Sequence, residues 1–202
     1  MAEDVARPGP LPVAALGRNS TAWWGMLCLI ATEACLFAYL LFSYYYTALQ
    51  RGPSWSPEPH PPMHLAGPNT AILLASSVAA WWGERGASRG DRRRQLAGLG
   101  LAIALGAVFL TVQLFEWKAK SFGPASGSYG SLYFVVTGFH MAHVVAGLAM
   151  LSTVFVWSAM GRFHPRRYEP VSITALYWHF VDAVWLAVFA TFYLSPYLMG
   201  AG

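Results

Sequence analysis

The chain has 202 residues, of which 56% are hydrophobic and 11% charged, with 13 Lys and Arg against 9 Asp and Glu. A soluble domain carries about a quarter charged residues, so this composition excludes an ordinary soluble enzyme and points to a membrane protein. The basic balance, with a pI near 9.2, is better explained by topology than by nucleic acid, because the positive charge sits between apolar spans.

Five apolar segments, roughly 21–46, 66–83, 95–116, 129–160 and 171–198, each supply about the 20 residues a spanning helix needs. The predicted fold is therefore all-α, a polytopic bundle of five transmembrane helices over 21–198 behind an N-terminal tail, residues 1–20. That tail contains Pro8, Pro10 and Pro12 and lacks the apolar core and cleavage site of a secretory signal.

The first helix starts after Ser20 or Thr21, either able to cap it, with Trp23 and Trp24 at one interface and Tyr44, Tyr45 and Tyr46 at the other. Cys28 and Cys35 lie seven apart on it, about 10 Å along the axis and too far for a disulfide. The proline-rich segment from Pro53 to Pro62 reads as extended surface chain, with His60 and His64 as solvated loop histidines. The second helix is rich in Ala and Ser, which suits close packing in lipid, and ends at Trp81 and Trp82 before an arginine loop. In that loop Arg92, Arg93 and Arg94 are candidate ligands for anionic lipid headgroups, although anchoring topology alone explains them more simply. The third helix carries a small-residue stripe, Gly98, Ala102 and Gly106, and closes on Glu116 and Lys120, expected to form a weak interfacial ion pair worth roughly 0.3–0.5 kcal/mol. The fourth is long enough to tilt or project, and the fifth ends at Pro196.

Charge bias orients the bundle. Arg7, Arg18, Arg85, Arg89, Arg92, Arg93, Arg94, Arg162, Arg166 and Arg167 fall on one side, against Arg51, Lys118 and Lys120 on the other. Ten against three predicts a cytoplasmic N-terminus and an outside C-terminus.

Five ionisable residues interrupt the apolar runs: Glu33, His140, His143, His179 and Asp182. At 1.5 Å per residue most fall near mid-membrane, where a charge costs at least ~2.5–3.5 kcal/mol and normally faces the bundle interior with a partner. They are expected to form a shared polar cluster, with His179 and Asp182 close enough on one helix face to bond directly. A metal or haem site, a proton relay and a hydrogen-bonded patch that fixes helix packing all remain open, the last being the most economical. Three-residue spacing on one helix suits bis-histidine haem ligation poorly. There is no P-loop, HExxH or CxxC motif.

The strings WGMLCLIATEACLF, NTAILLASS, QLFEW, SYGSLYFVVTGFHMAHVVAGL and YWHFVDAVW occur in an order and spacing that resembles subunit III of the haem-copper oxidases, from about residue 20 to 198. The resemblance implies the short, five-helix form, matching the last five helices of seven-helix members. It implies a non-redox subunit of a respiratory cytochrome c oxidase in a bacterial cytoplasmic membrane, stabilising the haem-copper core and supporting its proton uptake. It further implies no catalytic centre, cofactor or metal in this chain, with haem and copper in partner subunits and bound phospholipid at this one. Its implied partners are subunit I directly, subunit II in the same complex, and cytochrome c as electron donor. The carboxylate matching Glu33 is linked in that family to lipid binding and proton uptake, with His140, His143, His179 and Asp182 on the helices around it. Met141 stands where glycine is common after TGFH, and HLAGPNT precedes the second helix where many members have a proline, two apolar residues and then NT. Quinol oxidase and nitric-oxide-reductase relatives are alternatives, and the glutamate at 33 leans toward cytochrome c. An independent proton-coupled carrier is a third reading, for which no inverted repeat or broken helix pair is evident.

Overall fold

A computed structural model describes residues 20–55, 63–163 and 168–196. The expectations for the tail, for most of the proline-rich segment including His60, and for Arg166 and Arg167 lie outside the described residues. So does the side chain of His64.

Five α-helices follow one another: α1 Thr21–Arg51, α2 Met63–Arg89, α3 Arg92–Ala119, α4 Ser128–Ala159 and α5 Glu169–Phe189. A 3-10 turn, Gly52–Trp55, follows α1, and a π-helix, Ala190–Leu194, extends α5. No strand occurs among the described residues. α1, α3, α4 and α5 with its extension are long and apolar enough to cross a membrane; α2, which carries Glu84, Arg85 and Arg89, does not meet that standard by composition.

The helices overrun the apolar segments that announce them because charged residues at a membrane surface do not stop a helix. The expected arginine loop shrinks to Gly90 and Asp91. α2 continues through Arg89, Gly90 turns the chain at φ +74°, and the Asp91 carboxylate caps α3 by accepting from the Arg94 N–H at 3.0 Å. Arg92, Arg93 and Arg94 are thus the first turn of α3. Ser20 caps α1, its hydroxyl accepting from Trp23 N–H at 3.1 Å.

Glycines set how closely the helices approach. A Cβ added at Gly98 would lie 2.5 Å from the Gly83 backbone, so α2 and α3 touch main chain to main chain near their shared turn. Further along the same stripe, Gly106 makes room for a side chain. The Trp178 ring of α5 fills the space between Gly106 of α3 and Gly147 of α4, and a Cβ at either position would come within 3 Å of it. Trp178, Trp185, Phe109, Tyr133 and Leu151 are fully buried along the bundle interior. α1 is the outlying helix. It meets the bundle along Phe37, Tyr44 and Ala48, while Tyr39, Phe42 and Leu49 face outward.

Contacts fix which ends lie together. Gln95 of α3 donates to Ser158 of α4 at 2.7 Å and Ser172 of α5 donates to Glu84 of α2 at 2.5 Å, at one end. At the other, Arg51 of α1 donates to Ser128 of α4 at 3.0 Å and Tyr44 of α1 pairs with Ser195 at 3.3 Å.

Candidate functional site

The intramembrane ionisable residues separate into three environments. Glu33 of α1 meets His143 of α4, Oε2 to Nε2 at 3.1 Å. The same ring places Nδ1 2.7 Å from the Phe139 carbonyl, and a carbonyl can only accept, so Nδ1 carries a proton. The contact between Nε2 and Oε2 then requires one proton between them, held either by the imidazole as an ion pair or by the carboxyl as a neutral pair. Phe37 packs edge-on to the ring at 5.1 Å. The pair sits at the edge of the bundle, with the Glu33 side chain 29% and the His143 side chain 14% exposed.

His140, one turn of α4 away, is fully buried. Its ring lies 4.9 Å from Trp185 and 6.0 Å, edge-on, from Phe109, and neither nitrogen has a hydrogen-bond partner among the described residues. The imidazole therefore acts here as an aromatic packing element.

His179 and Asp182 do share a face of α5, but they do not bond to each other. His179 turns to α2, its Nδ1 2.5 Å from the Ser77 hydroxyl, and the buried Asp182 carboxyl lies beside that same serine with no close hydrogen bond among the described residues. A hydroxyl on the facing helix has displaced the expected intrahelical contact. His179 belongs to a ladder that joins α5 to α2: Trp178 Nε1 donates to Ser76 at 3.0 Å and Trp185 Nε1 donates to Thr70 at 2.9 Å. Asn69 reaches across to the Phe109 carbonyl of α3 at 3.3 Å. Composition does not single out Thr70, Ser76 and Ser77, which it reads as small packing residues. Their signal is chemical: indole and imidazole nitrogens buried inside the bundle need partners, and these hydroxyls supply them.

At the turn end, the Arg92 guanidinium donates to the Ala159 carbonyl and so caps the C-terminus of α4. Arg94 lies over the Trp82 ring at 5.4 Å, Arg85 over Trp81 at 4.2 Å, and Arg93 is exposed.

At the opposite end the Glu116–Lys120 pair differs from its expectation as an exposed interfacial contact. Their 2.9 Å ion pair is buried, with side chains 5% and 8% exposed. The Tyr193 hydroxyl donates to the same Glu116 oxygen at 2.5 Å, and Lys120 Nζ lies 5.2 and 5.4 Å from the ring centres of Tyr133 and Tyr193. The weak-pair magnitude expected for an exposed contact does not apply to a desolvated one, whose loss of one partner strands a buried charge.

Among the described residues, no three His, Cys, Asp or Glu side chains converge as metal ligands. His143 has both nitrogens engaged and His179 one, by protein groups. Chemically, the arrangement offers one shared proton near the bundle edge and a set of helix-to-helix hydrogen bonds in its interior.

The family model described as cytochrome c oxidase subunit III matches residues 17–197. Cytochrome c oxidase subunit 3 of Loxodonta africana is 35% identical over 185 residues, covering 88% of this chain and 69% of that protein. The subunit 3 of Locusta migratoria gives the same identity and coverage, and that of Ornithorhynchus anatinus is 35% identical over 177 residues, 84% of this chain and 68% of its own length. With the match running through all five helices, the chain belongs to the cytochrome c oxidase subunit III family.

Proposed function

We propose that this chain is the non-redox subunit III of a cytochrome c oxidase in a bacterial cytoplasmic membrane, forming one membrane domain over 21–198. Its N-terminal tail faces the cytoplasm and its C-terminus the outside, in keeping with the ten-to-three division of basic residues. It packs directly against subunit I, in a complex that includes subunit II and draws electrons from cytochrome c. Haem and copper belong to those partners. Both nitrogens of His143 and one of His179 are engaged by protein groups and the His140 ring is enclosed by aromatic neighbours, which favours packing and hydrogen bonding over ligation for these rings.

The role we assign is to stabilise the haem-copper core and sustain its proton uptake during aerobic, proton-translocating electron transport. The observation that carries it is the Glu33–His143 contact: a pair obliged to hold one proton, on the edge of the bundle where a neighbouring subunit or lipid can reach it. Phospholipid binds at this edge, and Arg92, Arg93 and Arg94 meet headgroups at the cytoplasmic surface. His140, His179 and Asp182 serve the packing of α4, α5 and α2 instead, in environments separate from the pair.

Glu33→Gln tests the role. It should leave the haem content of the purified oxidase intact while slowing proton uptake or shortening the number of turnovers before inactivation. Unchanged uptake and lifetime would refute the proton role.

A further inference from the structure

We propose that Gln113 and Glu116 of α3 form a buried binding site for one water molecule, at the end of the bundle that Tyr133 and Tyr193 close.

The donors and acceptors there can be assigned in order. The single hydroxyl proton of Tyr193 goes to Glu116 Oε1 at 2.5 Å, so in the 3.0 Å contact between the two tyrosines it is Tyr133 that donates to Tyr193. Tyr133 also meets the Gln113 side chain; with its own proton committed to Tyr193, its oxygen can only accept there, from the Gln113 amide N–H. Lys120 donates to Glu116 Oε1 as well, at 2.9 Å. Both donors thus fall on one carboxylate oxygen. Oε2 is buried and has no donor among the described residues, and the oxygen of the Gln113 amide, three residues earlier on the same face, has none among them either. Gln113 is fully buried and Glu116 nearly so. Whichever way the amide is turned, two acceptors one turn apart remain without a donor, in surroundings where unpaired acceptors are costly.

A second feature marks the same place. α5 changes to a π-helix at Ala190–Leu194, with Thr191, Phe192 and Tyr193 buried in succession. A single wide turn of this kind is uncommon and concentrates at functional positions. Here it aims the Tyr193 hydroxyl at Glu116 while Thr191 meets Tyr45 of α1 at 3.2 Å.

Charge and valence identify the occupant. Lys120 already balances Glu116, so a metal cation would leave net positive charge in a desolvated site, and two oxygens are too few ligands for one. A water supplies two donors, one to Gln113 Oε1 and one to Glu116 Oε2, and accepts from a remaining amide N–H, close to the three bonds a buried water typically makes. Nothing in this depends on which complex the chain joins.

The test is a high-resolution cryo-electron microscopy map of the chain with the subunits that purify with it, wild type and Gln113→Leu. The expected result is a wild-type peak about 2.7–3.2 Å from both Gln113 Oε1 and Glu116 Oε2, lost in Gln113→Leu while the Tyr193–Glu116–Lys120 contacts stay. Three results would overturn it: no wild-type peak where other buried waters are resolved, a peak at the shorter metal–oxygen distances of about 2.0–2.6 Å, or one unchanged in the variant. Should Gln113→Leu fail to accumulate, the wild-type map decides alone.

Discussion

His143 donates through Nδ1 to the Phe139 carbonyl at 2.7 Å and meets Glu33 Oε2 with Nε2 at 3.1 Å, so the two side chains hold one proton in common. Removing the histidine strands the carboxylate at membrane depth. His143→Leu should destabilise the folded chain by an amount between the roughly 1 kcal/mol of exposed pairs and the ~3–5 kcal/mol of fully buried ones, because the pair is partly exposed. Adding Glu33→Gln should restore part of the loss, as read by thermal unfolding in detergent. A double variant whose loss is the plain sum of the two single losses would mean that the contact contributes nothing.

Glu116 takes two charged or polar donors on one oxygen, and the variants should rank accordingly. Tyr193→Phe removes one hydrogen bond to a charged group and should cost about 1.5–3 kcal/mol. Glu116→Leu leaves the Lys120 ammonium buried and should cost more, about 3–5 kcal/mol. Urea or thermal unfolding of the two variants side by side gives the order, and the reverse order would argue that the pair is solvated.

Trp178 occupies the space that two glycines leave. Gly147→Ala would bring a methyl carbon 2.7 Å from the Trp178 ring, against a rigid neighbour, and should cost about 1–3 kcal/mol. Combining it with Trp178→Phe should give less than the sum of the two single losses. Strict additivity in a double-mutant cycle would contradict the packing described here.

The hydroxyls of α2 should matter one by one. Ser76→Ala leaves the Trp178 N–H buried without an acceptor and should cost about 1–3 kcal/mol, as should Thr70→Val at Trp185. Ala75, next to Ser76 on the same helix, faces outward, so Ala75→Ser offers a control expected within about 0.5 kcal/mol of wild type. Melting temperatures of the three variants provide the comparison.

Five helices are legible in the chain because apolar runs of about 20 residues have few other fates. Their ends are not, since Arg85, Arg89 and Arg92 are compatible with a loop or a helix end, and only the Gly90 turn with its Asp91 cap decides between them. The ionisable residues at the site are legible as candidates because charge at that depth is costly. Their pairing is not, because it depends on how each helix is rotated. Ser77 and His179 are 102 residues apart and no local pattern joins them, while Glu33 finds His143 across 110. The burial of Glu116 is hidden for the same reason. A lysine one turn on looks like a membrane surface, and the cover that Tyr133 and Tyr193 provide depends on a π turn that leaves no sequence pattern to read.

Purifying the tagged chain in mild detergent, with a reduced-minus-oxidised spectrum and the masses of the chains that accompany it, tests the account most directly. An oxidase haem arriving on a larger partner, with this chain colourless once stripped of it, is the result expected of a non-redox subunit III. A chain that arrives alone, or one that keeps haem after its partners are removed, would contradict it.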